Sequence, residues 1–380
     1  MCDMVAIKSI SPASGGEGES KRAAFLRSVL ESWGLRPRTY EYTDRQGAKR
    51  TNLVVKYGGS ARTIWIIAHM DTVAEGDLSL WKTDPFNAFV KGGRIFGRGT
   101  SDNGQSLVAS MYALMALKTK RADLKYNFGL ALVADEELGS KYGIQKLLAE
   151  GIFGKNDMFV VPDAGNSRGD ELEVAEKSML WLKVTVHGKQ VHASTPDKGV
   201  NAYRHAIRFL GKIDDELHRK YSKSNRMFDP PISTFEMTKH EKNVDSINII
   251  PGSEVSYIDC RVLPEYDITR ILAHVKKISS RKEFDKVKFT FETPIYEKAA
   301  PPTRPDAEIV KLLESRIYTL RGIKAKPIGI GGGTCAAFFR RKGYDAVCWS
   351  TGDDVAHQPN EYCIIKNMVN DSKVFASLFI

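Results

Sequence analysis

The chain has little with which to cross a membrane, staple itself or grip nucleic acid. No stretch of its 380 residues approaches the roughly 18 consecutive apolar residues that a bilayer-spanning helix needs. Its five cysteines, Cys2, Cys260, Cys335, Cys348 and Cys363, are odd in number, scattered and never spaced as Cys-x-x-Cys. That pattern excludes a disulfide framework and a thiolate metal site, and it suits reduced thiols in the cytoplasm. The opening Met1-Cys2-Asp3-Met4 lacks a basic region followed by an apolar one, so no secretory leader is expected. Internal repeats and low-complexity tracts are missing as well. A formal charge of +10 could signal nucleic acid, yet Lys and Arg are spread along the chain, and no aromatic is interleaved with the short cluster Arg340-Arg341-Lys342. The expectation is a solvated basic surface favouring acidic small molecules, with no nucleic-acid or membrane partner.

What is present is an ordinary globular composition, 42% apolar and 27% charged, in a chain long enough for two domains and a large core. The stretch Ile64-Trp65-Ile66-Ile67-Ala68-His69-Met70-Asp71 predicts a strand buried on both faces, as in a parallel sheet covered by helices. Such sheets carry their chemistry at the carboxyl ends of the strands, where His69 emerges. Side chains two apart on extended backbone point the same way, so Asp71 can reach one imidazole nitrogen and fix the ring for a metal at the other. By itself this short motif also fits a strand-end histidine bonded to its neighbour.

Before that strand, Phe25, Leu26, Val29, Leu30 and Trp33 recur at helical spacing, and Gly34 stands where a helix ends. After it comes a loop rich in Gly, with Gly97-Arg98-Gly99 and Asp102, then a helical pattern over 105–119. A second apolar strand, 128–134, runs into Asp135-Glu136-Glu137. A helix near 141–150 leads to a third strand, 158–161, which ends at Pro162-Asp163. This alternation predicts an α/β layered domain with a mixed, largely parallel sheet covered by helices. Near residue 179 the period changes: Leu180, Leu182, Val184 and Val186 alternate with Trp181, Lys183, Thr185 and His187. Helices near 200–217 and 267–279, with strands near 231–238, 254–263 and 286–292, complete a β-α-β-β-α-β unit. The predicted organisation is a first segment 1–178, an inserted α+β domain 179–294, and a returning segment 295–380. The Pro-rich run 301–305 marks the return; the last strand, 346–349, precedes a loop bearing His357.

The strand ends and loops thus supply His69, Asp102, Glu136, Glu137, Asp163 and His357. Two imidazoles and several carboxylates without a thiolate suit a pair of divalent ions of the zinc, cobalt or manganese type. Paired ions about 3.5–4 Å apart need a bridging carboxylate, a task open to Asp102 in its Gly-flanked loop. Adjacent Glu136 and Glu137 follow a buried strand, where a carboxylate is costly unless it meets a cation. One of the two can hold a metal while the other accepts a proton from the activated water.

In order and spacing, His69-x-Asp71, Gly97-Arg98-Gly99 with Asp102, Asp135-Glu136-Glu137 and His357 resemble the catalytic-domain motifs of one dinuclear-metal amidohydrolase and peptidase family. That family includes aminoacylase, acetylornithine deacetylase, succinyl-diaminopimelate desuccinylase and the bacterial glutamate carboxypeptidase, and the resemblance spans nearly the whole chain. It implies that His69, Asp102 and Asp163 hold one metal and Asp102, Glu137 and His357 the other. It further implies Glu136 as general base and then acid, Asp71 as the group orienting His69, and a cis peptide between Asp102 and Asn103. In the insert, Gly188-x-x-x-His192-x-Ser194-x-Pro196-x-x-Gly199-x-Asn201-Ala202 is similar to the family's lid signature, where the histidine polarises the scissile carbonyl in a partner subunit of a homodimer. Asn248, Arg261 and the glycine-rich run with Gly333 and Thr334 resemble substrate-binding positions, Arg261 for a substrate carboxylate. The expected activity is two-metal hydrolysis of the amide of a small N-acyl amino acid. A metallo-dipeptidase or carboxypeptidase with the same machinery is the near alternative, and a non-catalytic small-molecule binder the remote one. Two departures bear on the substrate: Asp163 resembles the dipeptidase and aminotripeptidase lines, where the deacylase lines commonly have Glu, and Asn103-Gly104-Gln105 stands where many relatives carry a lysine-glycine pair.

Overall fold

The computed structural model describes all 380 residues and separates into two compact units. One comprises Met1–Val174, Pro302–Ile328 and Thr334–Ile380; the other comprises Ala175–Pro301 and Gly329–Gly333. In chain order the first unit supplies helix α1 (Ser20–Ser32), strands β1 (Arg38–Thr43), β2 (Lys49–Tyr57) and β3 (Thr63–His69), helix α2 (Ser106–Lys120), and strands β4 (Asn127–Val133), β5 (Met158–Asn166) and β6 (Glu171–Glu176). The insert follows with β7 (Ser178–His187), α3 (Ala202–Lys220), β8 (Thr234–His240), β9 (Ser253–Val262), α4 (Ile268–Ser279) and β10 (Lys288–Glu297). The chain then returns through α5 (Glu308–Arg321), β11 (Lys326–Ile330), β12 (Ala346–Thr351) and α6 (Ile365–Ser377).

The first unit is built on an eight-stranded sheet in the order β1-β2-β4-β3-β5-β12-β6-β11. Its four central strands, β4, β3, β5 and β12, are mutually parallel, so their carboxyl ends gather at one edge of the sheet. Every residue of β3 and β4 is buried, which explains why both read as unbroken apolar runs rather than as alternating ones. Trp65, Ile67, Ala131, Val133, Phe159 and Phe339 share one core cluster on one face. On the other face α2 packs against β3, β4 and α6, with Leu107, Met111, Leu114, Val374 and Phe375 buried. Gly34 ends α1 in the left-handed region at φ +70°, where a residue with a Cβ is strained.

The second unit is a four-stranded antiparallel sheet, β8-β9-β7-β10, covered on one face by α3 and α4. Leu180, Leu182, Val184 and Val186 of β7 point into a core with Phe209, Ile213, Ile271 and Val275. Trp181 and Lys183 point the other way, as the alternation predicts. This unit begins four residues before 179 and ends seven beyond 294, and it also takes in Gly329–Gly333. Hydrogen bonds explain the addition: Lys177 N donates to Ile330 O at 3.0 Å, and Arg261 Nη1 to Gly331 O at 3.0 Å.

Candidate metal centre

His69 is the last residue of β3 and only 3% exposed. Its Nδ1 lies 3.0 Å from the Asp71 carbonyl oxygen, which can only accept, so Nδ1 carries a proton. The ring is thereby turned so that Nε2 faces Asp102 Oδ1 at 2.8 Å and Asp163 Oδ1 at 3.4 Å. Asp71 does more than face this imidazole. Its carboxylate is 3.6 Å from Nδ1 and accepts the backbone N–H groups of Glu136, at 3.1 Å, and Glu137, at 3.2 Å. One buried residue therefore fixes both the ring and the turn that presents the two glutamates.

Asp102 lies in an irregular turn over Thr100–Gln105, and the Asp102–Asn103 peptide is cis. Gly99 opens that turn at φ +77°, and a Cβ there would run into Thr72. Asp102 aims one oxygen at each imidazole: Oδ1 at His69 Nε2, and Oδ2 at His357 Nε2, 3.0 Å away. The His357 ring also lies 3.1 Å from Glu137 Oε2. Asp163 is delivered by an irregularity in β5: the four steps from Val161 to Gly165 lie opposite only two on the partner strand, from Cys348 to Ser350. The strand therefore continues past Pro162, where the sequence suggested an end. Asn103 Nδ2 holds Asp163 Oδ1 at 2.7 Å and Pro162 O at 2.9 Å, so the two residues that depart from the family pattern touch each other.

Two groups of candidate ligands result, His69 with Asp102 and Asp163, and Asp102 with Glu137 and His357, each with its donor atoms within 4.8 Å of one another. Asp102 belongs to both groups and Glu136 to neither. Nitrogen and oxygen donors only, carboxylates in excess over imidazoles, and an oxygen of the shared carboxylate facing each ring fit a pair of divalent cations. The electrostatics carry the same signature. Burial alone would lower the His69 pKa, but Asp163, Asp102 and Asp71 hold it well above the usual imidazole range. Hydrogen bonds to Asp102 and Glu137 push His357 up to about 10. Burial raises Asp102, yet the two histidines outweigh it and depress its pKa. Glu136 is driven well above the ordinary carboxylate range by burial and by the charge of Asp163, against the pull of His69.

Supporting residues that the motifs did not single out surround the ligands. Glu361 is buried: its Oε1 accepts from Ser101 N at 2.8 Å and Asp102 N at 3.0 Å, and its Oε2 from Gly99 N at 3.0 Å and Arg98 Nη1 at 2.8 Å. Its only sequence signal is its place four residues after His357. Arg50 is buried in a fork with Glu19 and reaches Asp135 Oδ1 at 3.0 Å, and Asp135 in turn accepts Tyr142 N, which pins the segment after β4.

The predicted residues of the insert fall at two places in their own unit: His192 and Asn248 lie together, while Arg261 sits near the far end of β9, paired with Met179. Val191 and His192 pair with Ile250 and Ile249, and Ala193 N donates to Asn248 O at 2.8 Å, so His192 and Asn248 are neighbours. The His192 ring is exposed, and its Nδ1 is engaged by Ser194, 2.7 Å from Oγ and 3.2 Å from the backbone N. Arg261 donates from Nε and Nη2 to Asp259 at 2.7 and 3.0 Å, so its principal fork is occupied by a neighbour on its own strand. Gly333 ends the glycine segment of this unit, and in the first unit Thr334 Oγ1 accepts Ala336 N at 3.2 Å.

Known proteins resemble this arrangement over its full extent. An uncharacterized metallohydrolase of Methanococcus maripaludis is 38% identical over 99% of this chain and 96% of its own length. A succinyl-diaminopimelate desuccinylase of Rickettsia bellii is 25% identical over 96% of this chain and 91% of its own. Among solved structures, an M20 family metallo-carboxypeptidase of Sulfolobus solfataricus shares the fold with a TM-score of 0.76 at 19% identity, covering 99% of this chain and 97% of that one. Residues 65–380, which carry every candidate ligand described above, match the family model "Peptidase family M20/M25/M40", and the chain is a member of that family of metallohydrolases.

Proposed function

We propose that the protein is a two-metal amidohydrolase that removes the acyl group from a small N-acyl amino acid, and that it works as a cytoplasmic homodimer. The observation that carries this reading is the division of labour at the strand ends: Asp102 serves both ligand groups, while Glu136, clamped beside them through Asp71, belongs to neither. His69 and Asp163 would hold one ion, Glu137 and His357 the other, with Asp102 between them. Zinc is the ion proposed, with cobalt or manganese chemically admissible in the same donor set. When bound, such ions polarise the scissile carbonyl and lower the pKa of a water toward neutrality.

The chain's own residues then have definable tasks. Glu136 takes a proton from the attacking water and delivers it to the leaving amine nitrogen. Asp71 keeps the Glu136 turn in register, and Asn103 keeps Asp163 aimed. His192 of a second copy, its Nδ1 engaged by Ser194, would donate from Nε2 to the oxyanion that develops on the carbonyl. Arg261, together with Asn248 of the second copy beside its His192, would meet the substrate carboxylate.

Asp163 favours a second reading, a dipeptidase or carboxypeptidase that uses the same groups. Assay of the metal-loaded protein against N-succinyl amino acids, N-acetyl amino acids and unblocked dipeptides separates the two. The proposal expects hydrolysis of an acylated substrate and little of the free dipeptides. Turnover of dipeptides alone would replace it with the second reading.

A further inference from the structure

The carboxylate role given to Arg261 meets an obstacle in the surroundings of that side chain. Its Nε and Nη2 face the two oxygens of Asp259 at 2.7 and 3.0 Å, and its Nη1 donates to Gly331 O at 3.0 Å and lies 3.1 Å from Met179 Sδ. Of five N–H groups, one on Nη2 is left for a ligand, enough for a single bond but not for a bidentate grip. Both side chains remain reachable, at 30% exposure for Arg261 and 24% for Asp259.

The register of the sheet extends the argument. Asp259 pairs with Glu236 on β8 and with Trp181 on β7, so the three residues form one row across the open face. Residues directly opposite on neighbouring strands lie close enough for their charges to act together. Glu236 and Trp181 are both exposed, Trp181 at 39%. Two carboxylates beside an indole face make a row that attracts a cation. The adjacent row holds Arg261 between Thr234 and Met179 and offers the anion contact. A second cation, Lys177, is buried and spends its ammonium on the Pro230 and Ile232 carbonyls.

We infer that Asp259 is a specificity-determining residue that selects ligands bearing an ammonium beside the carboxylate, a zwitterionic amino-acid head, over ligands with a lone carboxylate. A lone carboxylate gains Arg261 but is repelled by Asp259 at nearly the same distance. A zwitterion places its carboxylate on the free Nη2–H and its ammonium on the spare lone pairs of Asp259, and both charges are met. The inference rests on the proposal that Arg261 meets the substrate, and it narrows that proposal to amino acids acylated on a second, distal nitrogen, which keep a free ammonium next to this carboxylate.

The test is equilibrium binding to the full-length, metal-loaded chain, read by ligand-observed NMR with alanine as the zwitterion and propionate as the lone carboxylate. Binding that survives in Arg261→Ala is subtracted as arising elsewhere. The wild type should bind alanine more tightly than propionate by roughly fivefold, the scale of one partly exposed charge pair. Asp259→Asn, with Asp259→Ser as a second variant should the first fold poorly, should reverse the order by weakening alanine and strengthening propionate. Equal affinities in the wild type, or an order unchanged in both variants, would overturn the role of Asp259 and leave the Arg261 subsite standing. Binding of both ligands unaltered by Arg261→Ala would remove the subsite and the inference with it.

Discussion

Glu361 offers a sharp test of how Asp102, shared by the two candidate ligand groups, is held. Its carboxylate is 1% exposed, accepts the loop N–H groups of Gly99, Ser101 and Asp102 and faces the buried Arg98, whose own Nη2 lies 3.4 Å from the His357 carbonyl oxygen. One side chain thus ties the Asp102 loop to the His357 loop. Glu361→Ala removes the counter-ion of a buried guanidinium and orphans backbone donors at once. Breaking a buried pair from one side costs about 3–5 kcal/mol, because the remaining charge stays desolvated. The same change frees the loop bearing Asp102, and loss of a supporting partner of metal ligands typically costs about 10–100-fold in metal affinity. Urea denaturation measures the first quantity and metal competition with a chelator the second. Because Asp102 serves both ligand groups, both ions should weaken together. A variant within about 1 kcal/mol of wild type that also binds both metals normally would refute the reasoning, since the loops would then hold themselves.

Asp371 is buried and accepts the Thr351 N–H at 2.9 Å, and burial pushes its carboxyl up to about 7. The folded state therefore retains a proton that the unfolded chain has released, so this residue's contribution to stability is present near pH 4 and is lost as pH rises toward 7 and beyond. Asp371→Asn should gain on the order of 3 kcal/mol over wild type at pH 8 and little at pH 4, as read by denaturation at the two pH values; a pH-independent difference contradicts this. Mixing His192→Ala with Glu136→Ala tests completion of the site by a second copy. Each variant alone should be nearly inactive, and exchanged heterodimers should recover part of the activity. Confirmed exchange without recovery would confine His192 to its own subunit or to no catalytic part.

The parts legible in sequence are those where burial and chemistry coincide. β3 and β4 are wholly enclosed, so their apolar runs announce themselves, and the residues at their ends, His69 and Glu136-Glu137, stand out by contrast. The insert was legible because β7 alternates between a helix-covered face and an open one. β1 was not, since in Arg38-Thr39-Tyr40-Glu41-Tyr42-Thr43, an outer strand, only Tyr40 and Tyr42 are half-buried and no aliphatic residue marks the covered face. The supporting charges were hidden for another reason. Arg50, Glu19, Arg98 and Glu361 are types that usually lie on surfaces, and only the fold reveals that they are buried against each other. Nor could the sequence tell that Asp71 meets His69 mainly through its backbone oxygen and spends its carboxylate on the Glu136 turn. Spacing of two allowed the contact but did not specify the atom. The link between Asn103 and Asp163 was likewise out of reach, because the two are brought together by the Thr100–Gln105 turn and the irregularity in β5.

The central claim is that Glu136 moves the proton while five other residues hold two ions. Glu136→Ala, measured for bound metal by elemental analysis and for turnover of the acylated substrate the wild type cleaves best, addresses it most directly. The account predicts two ions per chain, as in wild type, with the rate down by about 10²–10⁴-fold. Near-normal turnover, or a protein that no longer binds metal, would contradict it.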